Sequence, residues 1–427
     1  MKTAIKRERN HACMNSTERK QAICETSMVL RNIGLMLIVL LLTACSSESD
    51  TTETKQPSVI NVYVFAPDKP IITRGDIGNV SPIDNTINES KITKLQIWVF
   101  DHTTGALVSY YSPESVDNLN GTNNNGEAHY QLSVSEAFAQ AAQIAQANNT
   151  EKPHVDVYVV ANTVSCGIPS LGESTTRTEL EALMIQKDYF GLTALTDEVP
   201  ETGLPMSGVL RNVEIQGSSP VYRLENVKLT RAVSKIRFVF CRETPEEGQE
   251  DIPVKIKSVN LNASMIPTSE YLFLETGENA KPYRVGSFET GDAKPFLPAP
   301  WDDIPKNDDP LKYVYQSQTA QDYEDLIAEG LNKTVTIEGQ EVPAPELKQL
   351  GPFYLRESDR QLEGVIRYQK GEEAEKTATF NMKTAGDFSR NHTWTVYAYY
   401  SKSGLVAVTV AVKDWDNTDR SHEVYNW

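Results

Sequence analysis

Residues 59–65, Val59-Ile60-Asn61-Val62-Tyr63-Val64-Phe65, read as a β-strand, because β-branched and aromatic residues crowd a short run. The residues just downstream constrain the fold more than the strand itself. Pro67 and Pro70 cannot donate to a ladder, so pairing must stop there. Arg74 then stands alone after Ile71, Ile72 and Thr73, in a stretch expected to be an exposed linker within reach of a protease. The strand is therefore joined to the rest of the chain by a segment that can be cut. The expectation is a removable plug that completes a sheet in the precursor and is released by cleavage between Arg74 and Gly75.

Residues 34–42 (GLMLIVLLL) are an apolar run of signal-peptide length behind Arg31. A membrane span would need ~20 residues. The run leads into Leu42-Thr43-Ala44-Cys45, which resembles the bacterial lipobox, where the Cys thiol is lipidated and becomes the new N-terminus. Signal cleavage is then expected between Ala44 and Cys45, with lipid on Cys45 holding the precursor to the outer membrane. Met28 is an alternative start to Met1. Residues 46–55 are polar and acidic, a tether, and Glu48 and Asp50 resemble the surface-export signal of Bacteroides-type lipoproteins.

The 427 residues carry 41 Lys+Arg against 58 Asp+Glu, a net charge of −17, so nucleic acid and anionic lipid are poor partners. Cys13 and Cys24 precede the signal and Cys45 is the lipobox residue. That leaves Cys166 and Cys241, too few for a disulfide scaffold. Both are expected as buried thiols, with a bridge between them as the alternative. There is no His-Glu-x-x-His, Gly-x-Ser-x-Gly, phosphate-binding glycine loop or Cys-x-x-Cys, so no catalytic residue, metal or cofactor is expected. His154 reads as structural, and Asp302, Asp303, Asp308 and Asp309 as a solvated loop. The acidic turn 414–419 lacks the Gly and distal Glu of a calcium loop. Arg74-Gly75-Asp76 spells the integrin tripeptide by chance, since cleavage after Arg74 would destroy it.

Short strands dominate the rest, and the length suits two domains. Residues 92–100 (ITKLQIWVF) place Leu95, Ile97 and Val99 on one face and Gln96, Trp98 and Phe100 on the other, and 107–111 return as a hairpin. Residues 135–147 are helical, with Phe138, Ala141, Ile144 and Ala145 on the apolar stripe. The run 155–161 is almost wholly apolar and so a central strand. Thr176-Arg177-Thr178-Glu179 is a capping box opening a short helix through Gln186. Strands at 209–215 and 221–229 come next, with the domain boundary near Leu224. Further strands are expected at 236–240, 254–261, 271–274, 351–355, 364–368 and 377–382, a surface loop at 295–310 and a helix at 322–330. Near the end, 391–400 is a strand, and 405–412 sets Val406, Val408, Val410 and Val412 against Leu405, Ala407, Thr409 and Ala411. A strand with two apolar faces needs burial on both, from its own domain or from a groove on another subunit.

Five features in this order resemble a Bacteroidales fimbrillin, a type V pilus subunit. They are Leu42-Thr43-Ala44-Cys45, the strand ending at Thr73-Arg74-Gly75, Tyr158-Val159-Val160-Ala161-Asn162, Arg231-Ala232-Val233-Ser234-Lys235-Ile236, and the tail from Arg390-Asn391-His392 through Trp415 to Trp427. The resemblance implies a mainly β fold of two tandem transthyretin-like β-sandwich domains with small helical insertions. The expected organisation is a signal segment at 1–45, a removable propeptide at 46–74, sandwiches at 75–223 and 224–403, and a donor tail at 404–427. It further implies export as an outer-membrane lipoprotein and cutting by an Arg-specific protease. Head-to-tail assembly with copies of itself or related subunits would result, Val406, Val408, Val410 and Val412 filling the groove that the first strand vacates. Stalk and tip positions both fit. The alternative is a surface lipoprotein that never polymerises and binds glycan or protein through a loop such as that around Trp301.

Overall fold

The computed structural model describes residues 57–67, 89–120, 126–166, 168, 170–185, 202–277, 280–281, 283–288, 294–295, 300–306, 334–337, 340–343, 348–381, 388–401, 404–414 and 423–426. All lie in the second of two compact units, Pro57–Trp427. The helix expected at 322–330, Asp308, Asp309 and the acidic turn beyond Asp414 fall outside them.

Alternation of apolar side chains builds the first sandwich. Its strands are β1 (Val59–Phe65), β2 (Leu95–Asp101), β3 (Leu107–Tyr111), β4 (Glu127–Ser133), β5 (His154–Ala161), β6 (Met184–Ile185), β7 (Met206–Glu214), β8 (Gln216–Ser218), β9 (Val221–Lys228) and β10 (Thr230–Arg231). One sheet runs β4-β1-β9-β8 and the other β10-β7-β5-β2-β3. Ile60, Val62, Val64, Leu132 and Leu224 from the first meet Leu95, Ile97, Val155, Val157 and Val159 from the second in one core. β5 is central, as its composition requires: it pairs with β2 on one side and β7 on the other.

The outer face of β2 is buried as well. Trp98 packs on Tyr110, with ring centroids 5.2 Å apart, and its indole N–H donates to Gly172 O at 2.9 Å. Gln96 Nε2 donates to Leu171 O at 3.0 Å. The excursion after β5 thus roofs that face, which alternation alone does not reveal.

The second sandwich comprises β11 (Ser234–Arg242), β12 (Val254–Leu261), β13 (Glu270–Tyr271), β14 (Lys294–Pro295), β15 (Thr334–Ile337), β16 (Gln340–Pro343), β17 (Lys348–Leu355), β18 (Glu363–Lys370), β19 (Lys376–Asn381), β20 (His392–Ser401), β21 (Gly404–Asp414) and β22 (Glu423–Asn426). Its sheets run β17-β11-β20-β21-β22 and β14-β12-β18-β19, around Phe238, Phe240, Val254, Ile256, Ile366 and Trp394. β15 pairs with β16 and β13 with β6. The chain leaves the first sandwich after Arg231 and enters the second at Ser234, within about ten residues of the boundary expected near Leu224, and β9 pairs in the first.

Several local expectations need correction. In the helix Glu136–Ala147 the buried residues are Phe138, Ala139, Ala142 and Ala145, while Ile144 is 61% exposed. The stripe is rotated toward the small alanines. Thr176 and Glu179 do form a reciprocal capping box, but the helix ends at Glu181. Met184–Ile185 is needed instead to pair with Glu270–Tyr271, which is also the only part of 271–274 that is strand. Asp303 is not a bystander in a solvated loop. Its carboxylate accepts from Arg242 Nε and Nη2 at 3.1 and 3.0 Å and from the amide of Val254 at 2.9 Å. Cys166 and Cys241 are buried thiols without a disulfide.

A strap from the second sandwich grips the first. Leu272 and Phe273 enter the first core, and Phe273 meets Tyr158 edge-on at 5.1 Å. Arg390 anchors the strap from beneath by donating to Leu272 O at 2.9 Å and Tyr271 O at 2.6 Å, while holding Glu357 at 2.6 Å. Glu270 lies beside that ion pair and accepts from the Glu357 amide at 2.9 Å. Its other oxygen is buried without a hydrogen-bond partner. Burial, reinforced by the Glu357 carboxylate, pushes Glu270 up from 4.5 to about 8, against the opposing pull of Arg390, the Glu357 amide and Arg356.

A carboxyl that holds its proton more tightly when folded stabilises fully below its unfolded value, and that contribution is lost as pH rises through the folded value. Melting temperature should therefore fall between about pH 4.5 and 8, and Glu270→Gln should flatten that slope. A slope unchanged in Glu270→Gln would place the titration elsewhere. Ile144→Lys should shift stability by no more than about 0.5 kcal/mol in urea unfolding. Phe138→Ala should cost about 3 kcal/mol.

Candidate functional site

β1 is an interior strand. On one side it runs antiparallel to β4, from Val59 opposite Ser133 to Phe65 opposite Glu127. On the other it runs parallel to β9, from Val59 beside Val221 to Phe65 beside Lys228, with a bulge between Asn61 and Tyr63. Its ends are tied too: the Val59 amide donates to Pro220 O at 2.8 Å and the Ala66 amide to Gly126 O at 2.8 Å, while Phe65 O accepts from Leu229 N at 2.9 Å.

The two faces of β1 differ. Ile60, Val62 and Val64 have no exposure. At ~1.5–3 kcal/mol each, their burial contributes roughly 5–9 kcal/mol gross. On the other face Tyr63 stacks on His129 at 4.7 Å, and the Arg223 guanidinium lies 5.0 Å from the Tyr63 ring centre. Removing β1 would unpair the facing edges of β4 and β9 and open a trough lined by Ala128, Tyr130, Leu132, Tyr222, Leu224 and Val227, all now buried. Burial, with the nearby Tyr111, pushes the Tyr130 hydroxyl up to about 12. That hydroxyl has no hydrogen-bond partner, nor has the buried Asn61 Oδ1.

The described chain resumes at Glu89, so Arg74 and Gly75 lie outside the described residues, as do Ala44 and Cys45. Val406, Val408, Val410 and Val412 stand on β21, which pairs antiparallel with β20. Val408 lies opposite Ala398, Val410 opposite Val396 and Val412 opposite Trp394. β22 covers part of the other edge, from Thr409 to Val412. The structure thus seats these valines in their own second sandwich, not in the β1 slot.

A second polar cluster closes one end of the first sandwich. Asp156 accepts from Arg177 Nη1 at 2.7 Å and from the Asn212 amide at 2.8 Å, and meets His102 Nδ1 at 2.8 Å. Burial opposes its ionisation, but the Asn212 amide, His102 and Arg177 together hold it below the usual carboxylate range. With its oxygens committed it braces the loop and offers no free base. His154 meets Asn212 Oδ1 at 2.8 Å, the structural part expected of it. Among the described residues no group of three or more His, Cys, Asp or Glu is placed to hold a metal.

Comparison with known proteins finds a family match over part of the chain. Residues 79–257 match the family of the major fimbrial subunit protein (FimA). The match agrees with the resemblance to Bacteroidales fimbrillins over that span, and the matched family is one of fimbrial subunits. Solved structures that are similar include a fimbrial assembly protein from Parabacteroides distasonis, at 14% identity and TM-score 0.43, covering 87% of this chain and 100% of that one. The tip fimbrial protein Mfa3 from Porphyromonas gingivalis, with a C-terminal truncation, is similar at 12% identity and TM-score 0.40, covering 87% and 99%. No curated protein matches. The FimA match begins downstream of Arg74 and Gly75 and leaves β1 outside it.

Ile60→Ala should destabilise the first sandwich by about 2–5 kcal/mol. Tyr63→Ala, on the outer face, should cost less than about 1.5 kcal/mol, the scale of an aromatic pair. Denaturant unfolding of the full chain separates the two; equal losses would mean that β1 is not inserted as described.

Proposed function

We propose that this protein is a subunit of a cell-surface fimbria that polymerises head to tail by strand exchange. The precursor is held to the outer membrane through lipid on Cys45. An Arg-specific protease adds water across the Arg74–Gly75 bond, leaving a carboxylate on Arg74 and an ammonium on Gly75. β1 then belongs to a separate peptide. The valine-bearing strand of a neighbouring copy, with Val406, Val408, Val410 and Val412, takes its place between β4 and β9. A head-to-tail contact of this kind propagates an open filament.

The observation that carries this reading is β1's position. It is a central strand of the first sheet, yet its only covalent link to the rest of the sandwich passes through the span that contains Arg74. Energetics favour replacement over simple loss. A vacant slot would leave two edges unpaired, and a buried unpaired backbone group costs about 1–3 kcal/mol. Four valines at ~1.5–3 kcal/mol each match or exceed what the three β1 side chains contribute. β21 gives up ladders to β20 and β22 and gains ladders of similar length along β4 and β9. Strand addition of this kind takes affinity from main-chain bonds and specificity from alternate side-chain pockets.

One observation favours a second reading. β21 is already an interior strand of its own sheet, as it would be in a surface lipoprotein that binds glycan or protein and never polymerises. Arg74→Ala should leave an uncut precursor that stays monomeric by size-exclusion chromatography. Deletion of residues 404–427 should leave an acceptor that still binds a synthetic 404–427 peptide after cutting but forms no filaments. Filaments from either variant would overturn strand exchange. A mature protein from cells that begins at Cys45 would favour the non-polymerising adhesin.

A further inference from the structure

We propose that Glu89 is the anchor for the start of the trimmed chain, so that everything upstream of it can be lost while the new N-terminal end stays tied down. The anchor rests on the strand-exchange reading, because it concerns what remains once the span containing Arg74 is cut. β1 makes its last main-chain bonds to Gly126 and Leu229. The next described residue is Glu89. Its carboxylate takes Lys235 Nζ on both oxygens, at 2.9 and 3.1 Å, and accepts from the Tyr354 hydroxyl. Its carbonyl accepts from Arg231 Nε at 3.1 Å, and Arg231 Nη2 also reaches Ser90 Oγ at 3.1 Å. The Glu89 and Lys235 side chains are only 11% and 10% exposed.

The residues after Glu89 are pinned in series. Asn162, in the left-handed region at φ 61°, donates through Nδ2 to Lys91 O at 2.7 Å and accepts from the Thr93 amide at 2.9 Å. Asn120 accepts from the Ile92 amide at 2.8 Å and donates to Ile92 O at 2.6 Å. The Asn162 amide donates to Lys94 O at 3.2 Å. None of these partners belongs to β1. The anchor is built from β10, β11, β17, the short helix Asp117–Asn120 and the loop that holds Asn162, so the departure of β1 removes no bond from it.

Residue types make the anchor consequential. No Lys or Arg occurs between Gly75 and Ser90. The first basic residues beyond the cut are Lys91 and Lys94, inside the pinned stretch. The first arginine is Arg177, whose guanidinium is held by Asp156 and by His102 O at 2.9 Å. A protease that cuts after basic residues needs several residues of extended, free backbone. It finds them fixed at the first sites it could recognise.

The test is native digestion of the full chain with trypsin, followed by mass and N-terminal sequence. The expected product begins at Gly75 and stays uncut after Lys91 and Lys94. In Glu89→Ala, cutting after those two lysines should accelerate at least tenfold. Glu89→Gln keeps an acceptor for Tyr354 but loses the charge pairing, and Lys235→Met removes the same pairing from the other side. Both should give intermediate rates, which keeps the test decisive if Glu89→Ala does not fold. A wild-type chain cut after Lys91 as fast as after Arg74 would overturn the anchor, as would variants with unchanged rates at Lys91 and Lys94. β1 that stays bound in a cut chain with the anchor intact would instead overturn the filament reading alone.

Discussion

An interior β-strand is bonded along both edges, and the first sandwich is organised around one whose covalent link to the rest runs through the span that contains Arg74. β1 supplies the ladder between β4 and β9 and three fully buried side chains. Its parallel partner β9 comes from more than 150 residues later in sequence, so the sheet cannot close until both ends of the first domain are in place. Non-local pairings of this kind form late, after loop-closure entropy has been met. β1 is held in the sandwich by its ladders to β4 and β9 and by core contacts.

Exchangeability at one strand demands rigidity elsewhere. If the first sandwich is to survive the loss of an interior strand, its other attachments must not run through that strand. The junction provides them. Leu272 and Phe273 reach from the second sandwich into the first core, Tyr354 joins the same core from β17, and Arg390 fixes the strap by bonds to its carbonyls. The charges there are almost wholly buried, and a buried pair broken on one side leaves an uncompensated charge. Such groups make the junction intolerant of half-formed states, which suits a part that must stay fixed while a neighbouring strand changes identity.

Much of this was legible in the sequence because strand periodicity is local. The strands at Val254–Leu261 and Leu107–Tyr111, and the capping box at Thr176 and Glu179, arise from residues within a few positions of one another. What was not legible depends on distant chain. Ile144 looks like a core residue by helical spacing, but the buried face of the helix carries Phe138, Ala139, Ala142 and Ala145 instead. Asp303 looks like loop surface until Arg242, 61 positions away, is brought to it. The helix after Thr176 is cut short by a pairing partner, Glu270–Tyr271, from the other sandwich. Glu89, at the margin of a polar linker, carries no local sign of its role. Only its approach to Lys235 and Tyr354 distinguishes it from an exposed glutamate.

The valine strand shows why one pattern can serve two addresses. An interior strand at home and a strand donated to a neighbour face the same physical demand: a ladder on both edges and apolar contact on both faces. β21 has a ladder on both edges, to β20 and β22, and the β1 slot offers ladders to β4 and β9. Alternating valine and small apolar residues satisfy either, so the sequence is silent on which is occupied. That silence has a thermodynamic counterpart. On the strand-exchange proposal, the ladders given up and gained are of similar total length, so hydrolysis of the one bond that frees β1 would decide the balance.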